Sequence, residues 1–143
     1  MSEKHFQLFN EKFNVDAYLI AVSDHWRLSL RPNQPTIGSA ILSLARPCEN
    51  FSDITIEESA DLKEIISYAE QQIKQAFNYD KINYLMLMMV DAHLHFHVIP
   101  RYSKTIEFAE HEWIDEKWPT PPDLAGREIT DAEAAKIIER IRG

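Results

Sequence analysis

The chain has 143 residues, 45% hydrophobic and 27% charged, enough to bury a sizeable core within one domain. Its 15 basic and 23 acidic residues leave a formal net charge of −8. That excludes a generic DNA or RNA binder, because such binding rests on Lys and Arg neutralising phosphates, but it leaves room for a small phosphate-bearing ligand held by local donors. A single cysteine, Cys48, excludes an intramolecular disulfide and a cysteine-rich zinc site.

No long apolar run follows Met1, and the longest one, Tyr84 to Val90, is too short to cross a bilayer. Neither a signal peptide nor a membrane partner is expected, and the expected setting is the cytoplasm. Ser2 to Phe13 reads as a short helix burying Phe6, Phe9 and Phe13. Ala17 to Val22 and Trp26 to Leu30 read as strands joined by turn chemistry at Ser23 and Asp24. Trp26, Leu28 and Leu30 alternate with Arg27, Ser29 and Arg31, as in a half-buried strand. Pro32-Asn33-Gln34-Pro35 reads as a loop, because its prolines block regular pairing. Ile37 to Leu44 is a third strand. Thr55 to Glu58 has capping-box spacing ahead of apolar residues at helical period, from Leu62 to Phe77, which predicts a long helix ending near Asn78.

Ile82 to Val90 predicts a central strand, apolar on both faces. A very short connection at Asp91-Ala92 would then lead into a fifth strand, His93 to Ile99, which must be antiparallel because a parallel neighbour needs a long crossover. Beyond Tyr102 the chain turns acidic, a segment read as a solvated face, and Trp118 to Pro122 is rigid and extended. A second capping box, Thr130 to Glu133, opens a last helix that buries Ala134, Ile137, Ile138 and Ile141. The predicted architecture is one α+β domain over 1–143. Its core is about 16–102, with a mostly antiparallel sheet of about five strands, one long helix, and an extension over 103–143 carrying a C-terminal helix.

The strongest functional signal is His93-Leu94-His95-Phe96-His97-Val98-Ile99-Pro100. Strand alternation places the three imidazoles on one face. Three readings compete. Structural histidines would need partners for six ring nitrogens. A metal site could use two of the rings at i and i+2, but it lacks obvious company beyond Asp91, His25 and His111. The third reading is nucleophilic catalysis at phosphorus. An imidazole is substantially unprotonated at neutral pH, its phosphoramidate is labile, and neighbouring rings can serve the phosphoryl oxygens and the leaving group.

These residues, with Arg101 after Pro100, resemble the histidine triad (HIT) signature of alternating histidines and apolar residues at all seven positions. Gly38, the strand after it, Arg46 and the Phe51-to-Thr55 entry to the long helix are similar to the family's layout. The resemblance covers roughly Pro35 to Tyr102. It implies an α+β fold, a homodimer, and a hydrolase of the diadenosine polyphosphate hydrolase type. Such an enzyme cleaves at the α-phosphate of a nucleoside polyphosphate, dinucleoside polyphosphate or phosphoramidate. His95 would be the nucleophile, His97 would contact phosphoryl oxygens and assist the leaving group, and His93 would orient the middle ring. His97 stands where transferase branches carry Gln, which favours hydrolysis. No tightly bound cofactor or metal is implied, a divalent cation entering only as part of a nucleotide complex. The chain departs from the pattern at Met89, where relatives place Gln, at Pro47, where they place His, and in lacking an Asn-x-Gly loop upstream of the histidines.

Asn83 and Asp91 are candidate replacements for that polar shell. Asn33 and Gln34 are candidates for reading a ribose or base edge, the alternative being turn chemistry. Arg101 is a candidate phosphate contact, the alternative being a strand-end ion pair. Trp26, Phe6 and Phe9 suit base stacking or core packing, His25 and His111 the surface, and Met86, Met88 and Met89 the core or a dimer interface. Two alternatives to the hydrolase stay open: a metal-binding or metal-dependent protein using His93, His95 and His97, and a nucleotide-binding module with weak catalysis.

Overall fold

The computed structural model describes residues 3–143. The helix that the three phenylalanines predict comes first, as α1 (Glu3–Lys12); Ser2 lies outside the described residues. Next come β1 (Leu19–Val22), β2 (Trp26–Leu30), a two-residue β3 (Asn33–Gln34) and β4 (Ala40–Leu44). The third strand starts later than its apolar run, because Gly38 turns the chain at φ +88. That turn is held by Gln34 Oε1, which accepts from the Gly38 and Ser39 amides at 2.9 and 3.2 Å.

A 3-10 turn at Phe51–Asp53 leads into α2 (Ile56–Phe77). The capping box forms as its spacing predicts. Thr55 Oγ1 accepts from the Glu58 amide at 3.0 Å, and Glu58 Oε1 accepts from the Thr55 amide at 2.9 Å. The helix ends at Asn78 in the left-handed conformation, φ 53. The chain continues through β5 (Lys81–Leu85), β6 (His95–Arg101), a hairpin of β7 (Ile106–Phe108) and β8 (His111–Trp113), β9 (Arg127–Glu128) and α3 (Asp131–Arg142). The second capping box starts α3, which buries the four predicted apolar residues. The acidic stretch thus supplies the β7–β8 hairpin as well as solvated surface, and β9 pairs with β3 inside the proline-bounded segment.

The main sheet is antiparallel throughout, in the order β1-β2-β4-β6-β5. Its register sets two faces. Leu28, Leu42 and Phe96 align across the three middle strands, as do Leu30, Ala40 and Val98. This apolar face belongs to the main core with Ile65, Ala69 and Ile73 of α2. On the other face Arg27 aligns with Ser43 and His95, and Ser29 with Ile41 and His97. Phe9, Phe13, Val15 and Ile41 form a second apolar cluster there, so α1 covers the polar face. The strand β2, read from its alternation as half-buried, is therefore covered on both sides. Burying Phe9 and Phe13 contributes roughly 2 kcal/mol each.

Three expectations are corrected here. The strand after α2 ends at Leu85 and lies at the sheet edge; β4 is the central strand. The connection to β6 is the loop 86–94, not a tight turn at Asp91-Ala92, and β6 begins at His95, leaving His93 in the loop. The physical reason is the lack of cover: Leu87, Met89 and Val90 are 50%, 83% and 86% exposed, so an apolar run here does not report burial. Trp26 is fully buried on the α2 side, its indole N–H donating to the Glu58 carbonyl at 2.9 Å, which removes it as a stacking platform.

Candidate active site

All three histidines are buried side by side, although His93 precedes the strand. The loop is pinned to the end of β4: the Leu94 amide donates to the Cys48 carbonyl at 2.8 Å and the Leu44 amide to the Leu94 carbonyl at 3.3 Å. His93 Nε2–H donates to the Leu44 carbonyl at 2.8 Å. His95 Nδ1–H donates to the His93 carbonyl at 2.6 Å. A carbonyl oxygen can only accept, so each bond fixes a tautomer. For His95 it places the proton on Nδ1 and leaves the lone pair on Nε2.

Aromatic rings of α1 cap the row. Phe6 and Phe9 lie 4.8 and 5.1 Å from the His93 ring, and Phe9 lies 4.9 Å from that of His95. The His95 and His97 rings are 4.9 Å apart and nearly perpendicular. Desolvation under this cover is the main cause that lowers the pKa of all three. His93 and His97 fall to about 4, helped by Arg27 at His93 and Arg31 at His97, and His95 falls below the usual histidine value. The resting rings are neutral at pH 7, the state in which an imidazole is a nucleophile or ligand.

His95 and His97 open onto a cleft of ≈ 280 Å³ lined also by Lys12, Phe13, Arg31, Asp91 and the apolar side of the 87–90 loop. Across it Lys12 donates to Asp91 Oδ1 at 2.8 Å, tying α1 to the loop. His97 Nδ1 is buried with no hydrogen-bond partner. An orphaned lone pair costs less than an orphaned N–H, so the His97 proton is favoured on Nε2, toward the cleft.

The other candidates from the sequence are spread out. Asp91 is at the cleft. Asn83 and Arg101 share the histidine face, but Arg101 is 4% exposed and fully engaged. It pairs with Asp115 through Nε and Nη2 at 2.7 and 3.1 Å, and donates to Asn83 Oδ1 at 2.9 Å and to the Thr120 carbonyl at 2.8 Å. Gln34 is buried, all its polar capacity spent on the Arg31 and Ser39 carbonyls and the turn amides. It borders a separate cleft of ≈ 440 Å³ against residues 112–127, which contains no histidine. Asn33 Nδ2 donates to the Gly126 carbonyl at 3.0 Å. His111 pairs with Glu133 at 2.9 Å, away from the cleft. Phe6 and Phe9 pack on the histidines. Lys12, Phe13, Arg31 and Leu124 are among the lining residues that sequence reasoning missed. Alternation put Arg31 opposite Leu30, but only the sheet register brings it to the histidines. Among the described residues, no group of three or more His, Cys, Asp or Glu is arranged to hold a metal ion.

A five-stranded antiparallel sheet that holds a row of three buried histidines under a helix defines a small α+β protein with a compact imidazole cluster. The model of the HIT domain matches residues 8–104, and the chain belongs to the HIT domain family. Solved structures share the fold at low identity. A histidine triad protein from Sinorhizobium meliloti is 22% identical, with 92% of this chain and 91% of that one covered and a TM-score of 0.73. A hypothetical histidine triad nucleotide-binding protein from Sulfolobus tokodaii is 16% identical, with 97% and 89% covered and a TM-score of 0.72. A zinc-bound histidine triad family protein from Mycobacterium smegmatis is 14% identical, with 94% and 91% covered and a TM-score of 0.60. No curated protein matches the chain.

Proposed function

We propose that the protein is a nucleotide hydrolase that cleaves at the α-phosphorus of a nucleoside polyphosphate, dinucleoside polyphosphate or phosphoramidate and releases a nucleoside monophosphate. The observation that carries this reading is the 2.6 Å bond from His95 Nδ1–H to the His93 carbonyl, which leaves an unprotonated Nε2 on a ring that lines the cleft. The His95 Nε2 lone pair attacks phosphorus, forming a P–N bond as the bond to the leaving group breaks. His97 Nε2–H bonds the phosphoryl oxygen and gives its proton to the departing atom, the oxygen of a phosphoanhydride or the nitrogen of a phosphoramidate. Water then attacks the same phosphorus and gives a proton to His97 Nε2, the P–N bond breaks with its electron pair returning to His95 Nε2, and both rings are neutral again. His93 acts through His95, its backbone carbonyl holding the nucleophile's tautomer.

Mass spectrometry of protein quenched during turnover tests the reading. The expected result is a nucleotidyl adduct on His95 that is absent from His95→Ala, with activity insensitive to chelators. Stoichiometric metal with chelator-sensitive activity would favour the metal-dependent alternative. Tight nucleotide binding without turnover would favour a binding module. The same reading includes a homodimer, which light scattering of the purified chain tests.

A further inference from the structure

Two arginines on the histidine face are more than nine-tenths buried, and their surroundings differ. Arg101 is neutralised by Asp115 and each of its three nitrogens is bonded. Arg31, 8% exposed, makes no ion pair among the described residues. Its Nη1 donates to the Asn33 carbonyl at 3.1 Å, the Leu124 carbonyl at 3.0 Å and Asn33 Oδ1 at 3.3 Å. Its Nε is buried and unpartnered. The carboxylate that attracts it, Asp91, lies beyond ion-pair distance and is already bonded to Lys12. Arg27, a third guanidinium on this face, stacks on Phe6 at 5.0 Å and does not line the cleft.

A guanidinium stays charged at any physiological pH, and burying it unpaired is costly. With neutral histidines, the charged groups lining the cleft are Lys12, Arg31 and Asp91, a balance of one positive charge. We propose that Arg31 is a specificity-determining residue that binds the phosphate on the leaving side of the scissile bond. The cleft would then take phosphoanhydrides in preference to phosphoramidates. This rests on the hydrolase reading above. The two leaving groups differ in charge where Arg31 acts: a departing phosphate gains negative charge as the P–O bond breaks, whereas a departing amine is neutral or cationic. A cation held in place by two backbone carbonyls stabilises the first in the transition state and disfavours the second.

The test compares a dinucleoside polyphosphate with a nucleoside phosphoramidate of the same base, on wild type, Arg31→Gln and Arg31→Lys. Wild type is expected to favour the anhydride in kcat/KM by about tenfold or more, and Arg31→Gln to lose about 100-fold on the anhydride, at least tenfold more than it loses on the phosphoramidate. Arg31→Lys should fall between the two. Equal losses on both substrates, or a wild type that prefers the phosphoramidate, would overturn the proposal. If thermal unfolding shows Arg31→Gln to be misfolded, the same comparison with Arg31→Lys decides. If wild type cleaves neither substrate, the hydrolase reading has failed, and calorimetry with inorganic pyrophosphate decides on the anion site alone. Binding that weakens about tenfold or more in the Arg31 variants sustains it; absent or unchanged binding overturns it.

Discussion

His95 Nδ1 lies 2.6 Å from the carbonyl oxygen of His93, two residues earlier in the same segment. Backbone and side chain of one short run thus set the tautomer of its own middle ring. The bond depends on His93 sitting in the loop just ahead of β6, where its carbonyl is free of the sheet ladder.

The first prediction concerns pH and rate. Desolvation holds the His95 pKa below the ordinary histidine value, and protonation removes the attacking lone pair. Activity should be lost on the acid side, with the acid limb of kcat/KM below pH 6.5. A limb at or above that value, in a pH–rate profile of the wild type, would contradict a desolvated nucleophile.

The second concerns pH and stability. His93 and His97 have folded pKa values of about 4, against 6.5 for an exposed ring. Between those values the unfolded chain binds more protons than the folded one, so stability rises with pH across that window and is lost as pH falls from 6.5 toward 4. The loss is on the order of 3 kcal/mol per ring. Urea unfolding at a series of pH values measures it, and His97→Asn should flatten the curve.

The third concerns the cover. Phe9 is buried against His93, His95 and Phe13. Phe9→Ala should cost about 3 kcal/mol. By admitting water it should also raise the His95 pKa and move the acid limb of the rate profile upward. Denaturant titration and the pH–rate profile of the variant check both effects. A stability loss without the pH shift would separate α1 from the tuning of the nucleophile.

The fourth concerns the contrast between the two arginines. Asp115→Asn leaves the buried Arg101 uncompensated and should destabilise the fold by about 3 kcal/mol, read from the denaturation midpoint. Arg31 has no such carboxylate to remove.

Much of this molecule is written locally. The capping boxes at Thr55 and Thr130, the helical spacing behind them and the alternation of His95, Phe96, His97 and Val98 are short-range patterns, and the structure follows them. The run Ile82 to Val90 misled for a physical reason. Hydropathy reports what a segment would bury, not whether anything covers it, and in the loop that follows the edge strand Met89 and Val90 are left exposed. Asn33, Gln34 and Arg101 were plausible ligand groups by residue type, yet their donors and acceptors are engaged by partners up to 95 residues away.

By itself the sequence determined the α+β class and the shared strand face of His95 and His97, because helix period, capping and strand alternation are properties of neighbouring residues. Only the tertiary structure decided that α1 desolvates the histidines, that the His93 carbonyl fixes the His95 tautomer, and that Arg31 rather than Arg101 lines the cleft. Those facts depend on strand order and register, set by contacts between residues far apart in the chain, and no local pattern specifies them.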